Sequence, residues 1–222
     1  MGNLSEKELQ ELAGQLSHPN GESGIQTAYS MNVANDNMIR HAIDQVDIKA
    51  HSTILEIGPG NGIHIKYLFE KEADLKYYGI DVSELMVEEA LKLNSEFTAS
   101  KKAVFELTDG EKISQPDSFF NSIFTANTIY FWKNPEEYLN EIFRVLQPDG
   151  TFILAFIPKE VMEKIPFSKY GFELYDMEKA KALLETSGFK IDTIVSEKEE
   201  VLSNTGEIKI RTFTIIKSRK PQ

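Results

Sequence analysis

The 222-residue sequence has no cysteine, one tryptophan and four histidines, at positions 18, 41, 51 and 64. Without cysteine there are no disulfides, no thiolate metal sites and no cysteine nucleophile. No two histidines stand at the i, i+4 spacing that paired ligands on a helix require, so no metal site is expected. Basic residues are in deficit: 24 Lys+Arg against 35 Asp+Glu give a formal net charge of -11. That charge repels a phosphate backbone and disfavours nucleic acid as a partner, and SRK at 218–220 is too short to act as a basic patch. No apolar run approaches the roughly 18 to 20 residues of a membrane span. The first thirty residues lack a basic start followed by an apolar stretch, so the chain is expected to stay in the cytoplasm.

What is present is ordinary globular material, 41% hydrophobic and 27% charged. The length predicts a single domain, residues 1–222, made of an N-terminal helical cap or lid over 1–50 and a core over 51–222. In the cap, Ser5 is placed to start a helix through LSEKELQELAGQL, ending near Gly14 or at the loop SHPNGESG. A second helix is predicted from about Asn32 to Val46, on the stripe Met38, Ile39, Ala42, Ile43 and Val46. From Ser52 strands and helices alternate: STILEI, KYYGID, AVFELT, SFFNSIFTANTIY and TFILAFI read as strands, with helices between most of them. Ser83, Asn134 and Asp176 stand at helix N-caps, Pro135 at a first helical position and Gly188 at a helix end. FKIDTIVSE and IKIRTFTIIK close the chain with no helix between them, so they should pair antiparallel. The expected fold is α/β: a three-layer, Rossmann-like sandwich around seven strands, mostly parallel, with the last strand reversed.

The densest signal is ILEIGPGNG, Ile54 to Gly62, where an apolar strand closes on an acid and three glycines. In an open α/β sheet, ligands bind at the C-terminal ends of strands where the strand order reverses, and bare backbone lets them approach. A dinucleotide fingerprint, G-x-G-x-x-G, would place its third glycine at 63, where the sequence has Ile63; Gly62 comes one residue early. Glu56, two residues before the first glycine, is also of no use to a pyrophosphate. It suits a cationic group held over the turn. Asp81, closing KYYGID, stands where an acid accepts hydrogen bonds from ribose hydroxyls. The residues therefore ask for a nucleoside with a cationic tail and no phosphate.

E-x-G-P-G-N-G, then Asp81, then Asp109-Gly110 after the third strand and L-Q-P-D-G before the fifth resemble the class I S-adenosylmethionine-dependent methyltransferases over roughly Ser52 to Lys217. The resemblance implies S-adenosyl-L-methionine as cofactor. It implies that Gly58, Pro59 and Gly60 line the methionine part with Glu56 nearby, that Asp81 holds the ribose and that Val82 packs on the adenine. Asp109, followed by Gly110, would bind the adenine amino group, and Asn127 would lie near the sulfonium. FFNSIF departs from the family's F-D-x-I/V pattern at Asn121, a position expected to be structural.

For the acceptor, Tyr130 and Trp132 in NTIYFW fall at the C-terminal edge as a pocket wall or base, or as plain aromatic packing. Tyr29, Met31 and Asn32 are placed to fold over the cofactor, a segment whose MN pair is similar to one in quinone-biosynthesis methyltransferases; an amphipathic helix packed on the sheet explains the pattern equally. Phe167, Tyr170 and Phe172 in EKIPFSKYGFELY are candidates for specificity. His64 reads as a packing or solvent-facing side chain, and no general base is identified. The expected partner is a small-molecule acceptor, with the methylated atom and the oligomeric state left open. A nicotinamide-dependent oxidoreductase and a non-enzymatic cofactor-binding module are the rival readings.

Overall fold

The computed structural model describes residues 4–202 and 208–222. Helix α1 (Glu6–Ser17) opens with a reciprocal cap: the Ser5 side chain accepts from the Glu8 amide, and the Glu8 carboxylate accepts from the Ser5 backbone at 2.7 Å. Helix α2 (Gly21–Asp44) begins eleven residues before the expected start at Asn32 and absorbs the second half of the presumed loop. Small residues explain the difference. Gly24 and Ala28 are buried on the same face as Met38 and Ala42, and that face was too narrow-chained at its start to register as an apolar stripe.

The core follows as β1 (Thr53–Ile57), α3 (Ile65–Lys71), β2 (Lys76–Asp81), α4 (Glu84–Leu93), α5 (Ser95–Ala99), β3 (Ala103–Leu107) and β4 (Phe120–Ala126). Then come α6 (Pro135–Val145), β5 (Leu146–Phe156), α7 (Lys159–Met162), α8 (Met177–Thr186), β6 (Lys190–Leu202) and β7 (Ile208–Arg219). The sheet order is β3-β2-β1-β4-β5-β7-β6, with β7 antiparallel to both neighbours and the other strands parallel, as expected. Residues 203–207, inside the expected connection between the last two strands, lie outside the described residues. The central strands are buried almost without interruption, including Ile54 to Ile57, Ser122 to Thr125 and Thr151 to Phe156. Burial on both strand faces requires helices on both sides of the sheet.

Three local expectations change. The helix expected over SELMVEEALKLNSEF is two: Asn94 interrupts it, donating its side-chain amide to the carbonyls of Ala90 and Gly62. The strand expected through NTIY stops at Ala126, because Asn127 turns into the left-handed region (φ 58) and Ile129–Phe131 form a 3-10 turn. Asn134 sits at the N-cap of α6 but donates to Glu137 at 3.1 Å instead of accepting from a backbone amide, while Pro135 occupies the first turn as expected. Ser83 and Asp176 cap as predicted. Asn121 ties three strands together: its Oδ1 accepts from the Thr53 amide at 2.7 Å and its Nδ2 donates to Gln147 at 2.8 Å, a bond that an aspartate could not donate.

Candidate functional site

The strand order reverses between β1 and β4, and the ends of those strands open into a cavity of about 670 Å³. That volume is typical of small-molecule sites. The glycine turn forms its floor. Gly58, Gly60 and Gly62 all have positive φ, 71, 56 and 62. A Cβ on Gly58 would stand 2.4 Å from the Thr128 methyl, so the turn can lie against the β4 loop only with glycine there. At Gly60 the space a Cβ would enter is open, with Met86 Sδ no nearer than 4.0 Å, and that gap faces the cavity.

Asp81 ends β2 beside this turn. One carboxylate oxygen accepts from the Gly60 amide at 3.0 Å and the other from the Ser83 amide at 2.9 Å, leaving lone pairs on both. Burial raises its carboxyl from the ordinary range to about 6, against the lowering effect of those two amides. Val82, Asp109 and Gly110 line the same end. Asp109 is exposed, and the amides of Glu111 and Lys112 on its Oδ1 hold its carboxyl below the usual value. Tyr138, projecting from α6, also lines the cavity, and its hydroxyl is the one buried side-chain polar atom without a partner among the described residues. Burial, with Asp109 and Asp81 nearby, raises its pKa, so it is a hydrogen-bond donor awaiting an acceptor.

The β4 loop closes the other end. Thr125 Oγ1 donates to the Ile57 carbonyl at 2.7 Å and lies 2.6 Å from Thr128 Oγ1, which accepts from Trp132 Nε1 at 3.2 Å. Tyr130 is buried; its hydroxyl accepts from the Ile157 amide at 2.6 Å, and its hydrogen can go to Ile157 O (2.9 Å) or Asn127 Oδ1 (3.0 Å). Burial raises the Tyr130 pKa, so the side chain positions Asn127 and is a poor base.

Of the residues singled out from the sequence, Gly58, Pro59, Gly60, Asp81, Val82, Asp109, Gly110, Asn127, Tyr130, Trp132 and Asn32 line this cavity, with Met31, Phe167 and Phe172. Three candidates do not. Glu56 points behind the turn, where it accepts from Tyr77 Oη at 2.5 Å and lies 2.8 Å from His64 Nε2. His64 is therefore a buried packing residue, not a solvent-facing one. Tyr29 is 49% exposed on the outer face of α2, and Tyr170 reaches Glu6 of α1 at 3.1 Å. Residues with no sequence signal also contribute: His18 and Pro19 between α1 and α2, Asn35 on α2, Tyr138, and Arg211 on β7. An unpaired buried tyrosine or an arginine from the far end of the chain has no motif to announce it.

Residues 55–154 match a family model described as a methyltransferase domain. The chain is 29% identical over 132 residues to the uncharacterized methyltransferase YdaC of Bacillus subtilis, covering 60% of this chain and 71% of that one. It is 24% identical over 185 residues to phosphoethanolamine N-methyltransferase 3 of Arabidopsis thaliana, spanning 73% of this chain but only 37% of the plant protein. Its fold is similar to that of a SAM-dependent methyltransferase from Aquifex aeolicus, with a TM-score of 0.65, 21% identity and coverage of 98% and 100%.

Proposed function

We propose that the chain, whose residues 55–154 match a methyltransferase domain, is a class I S-adenosylmethionine-dependent methyltransferase whose cavity binds the nucleoside along Gly58–Gly60, Asp81 and Tyr138 and receives a small-molecule acceptor beside Asn127 and Tyr130. The nicotinamide alternative is not favoured, since the matched family and relatives are methyltransferases. No helix among the described residues is long and apolar enough to cross a membrane. The N-terminal helices act as a lid within one domain.

The residues present fit the cofactor. Open space at Gly60, free lone pairs on Asp81 and the unpaired Tyr138 hydroxyl are what a nucleoside with an amino-acid tail would fill. When bound, S-adenosylmethionine supplies an electrophilic methyl group on a sulfonium, so the protein's task is placement and exclusion of water. Asp81 accepts from the ribose hydroxyls. Tyr138 donates to an oxygen or ring nitrogen of the nucleoside. The Thr125–Thr128–Trp132 chain fixes the β4 loop, and Tyr130 holds the Asn127 amide with its Nδ2 hydrogens available. Glu56, His64 and Tyr77 brace the glycine turn from behind. A net charge of -11 and an aromatic-walled cavity favour a small molecule over nucleic acid as acceptor.

The observation that carries this reading is the unpaired Tyr138 hydroxyl on the wall of the cavity that the open Gly60 also lines. Isothermal titration with the demethylated cofactor, S-adenosylhomocysteine, tests it. Tyr138→Phe should weaken binding by about 1 kcal/mol, roughly fivefold. The ligand-free melting temperature should hold or rise, because no internal bond is lost. Unchanged affinity in the variant removes Tyr138 from the site, and no binding by the wild-type protein at millimolar ligand removes the reading itself.

A further inference from the structure

The last hairpin outruns the sheet. Strands β6 and β7 pair as far as Leu202 and Ile208, but β5 meets β7 only from Thr214 to Arg219. The stretch Ile208–Phe213 therefore projects past Phe156, beyond the C-terminal end of β5. Arg211 sits on it, directly opposite Glu199, and both side chains are largely buried, 14% and 3% exposed. Arg211 Nε donates to Glu199 Oε1 at 2.8 Å, and Nη2 donates to the same oxygen at 2.5 Å and to the Ala34 carbonyl of α2 at 2.7 Å. These bonds, with a longer one to Asn35, occupy one edge of the guanidinium. Nη1, on the other edge, has no hydrogen-bond partner among the described residues, and Arg211 lines the cavity.

Nη1 is thus a charged donor left open at the cavity wall, and a ligand oxygen that reached it would accept a charge-assisted hydrogen bond. The nearby wall is apolar and aromatic: Phe172 packs against Tyr130, Phe131 and Phe167, and Met162 adds to the same surface. The other strong base on the cavity wall, Lys133, is exposed and already faces Glu111 at 3.1 Å. We infer that the methyl acceptor is a largely apolar molecule carrying an anionic oxygen group, carboxylate or phosphate, which docks on Arg211 Nη1. This rests on the methyltransferase reading and adds the acceptor's chemical class. Glu199 orients the guanidinium and limits its net charge, and Asn37 in turn donates to Glu199 Oε2 at 3.1 Å.

The test uses protein saturated with S-adenosylhomocysteine and two matched probe pairs: 3-phenylpropanoate against 3-phenylpropanamide, and phenyl phosphate against phenol. Dissociation constants come from ligand-observed NMR at low salt. One anionic probe or both should bind at least about tenfold more tightly than its neutral partner, the scale of a hydrogen bond to a charged group. Which pair shows the preference separates carboxylate from phosphate. Arg211→Gln should abolish the preference, and Glu199→Gln should enlarge it by unmasking the positive charge. Equal binding of charged and neutral probes by the wild-type protein overturns the inference whatever the variants do, as does a preference that survives Arg211→Gln. Should that variant not fold, an unchanged preference in Glu199→Gln overturns it. Failure of S-adenosylhomocysteine to bind at all counts against the methyltransferase reading, and is measured first.

Discussion

Asp81 is under two opposing demands. Its position at the end of β2 buries it, which favours the neutral acid and raises its carboxyl to about 6. A role in accepting ribose hydroxyls requires the carboxylate. The folded chain thus holds a proton on Asp81 more tightly than the unfolded chain, whose aspartates titrate near ~4. Ligand-free stability should therefore decline as pH rises from about 4 through about 6. Cofactor affinity should run the other way, falling toward tenfold per pH unit below about 6 as the acceptor form is lost. Titration with S-adenosylhomocysteine between pH 5 and 8 checks this, with Asp81→Asn expected to be weak and flat. A flat profile in the wild-type protein would mean that Asp81 does not hold the ligand in its charged form. Asp81 was readable in the sequence because it closes a strand a fixed distance after the glycines. Tyr138 was not, since only the packing of α6 shows that its hydroxyl is stranded.

At the scale of elements, the turn after β4 is held to the end of β5 by the Asn127 amide, which donates to the Ala155 carbonyl at 2.9 Å, and by one side-chain hydroxyl. Tyr130 meets the Ile157 amide and carbonyl and the Asn127 side chain, all in buried surroundings. Tyr130→Phe leaves the Ile157 amide without its partner and should destabilise the protein by about 1 to 3 kcal/mol, read as a lower urea midpoint at constant slope. An unchanged midpoint would show that the loop is held elsewhere. Such contacts explain what could be read from the sequence and what could not. Strand and helix order was legible because β1, β4 and the second half of β5 are short runs rich in apolar and β-branched residues and α6 carries the spaced stripe Tyr138, Leu139, Ile142 and Val145. The early start of α2 was hidden because Gly21 and Gly24 resemble breakers, although Gly24 allows a close approach: a Cβ there would stand 3.0 Å from the Leu85 side chain and the Pro19 backbone. The 3-10 turn at Ile129 was hidden because Asn127, in an apolar run, gives no warning of its positive φ. Arg211 reaches the cavity only because the β6–β7 hairpin overshoots the sheet, a property of strand length that no motif encodes.

At the scale of the molecule, the cavity wall is drawn from distant parts of the chain: the end of α1, the inner face of α2, the strand ends from β1 to β4, residues 162–172, and β7. The C-terminal half of α2 is seated in the core through Met38, Ala42 and Ile43, whereas α1 and the N-terminal half of α2 are moored by polar contacts at their margins. Ser83 Oγ donates to the Pro19 carbonyl at 2.6 Å, Asn32 Nδ2 donates to Asn61 Oδ1 at 3.0 Å, and Tyr170 reaches Glu6. Such moorings are individually small, so α1 and the N-terminal half of α2 should open more readily than the strands beneath. A ligand that touches lid and sheet together binds only the closed form and stabilises it by mass action, by about 2.7 kcal/mol at a hundredfold excess over its dissociation constant. Hydrogen exchange with and without S-adenosylhomocysteine should therefore show slowing across residues 6–35 as well as at 55–62, with little change in β5, which is already protected. Slowing confined to 55–62 would mean that the ligand rests on the sheet alone and that the N-terminal helices are a fixed wall.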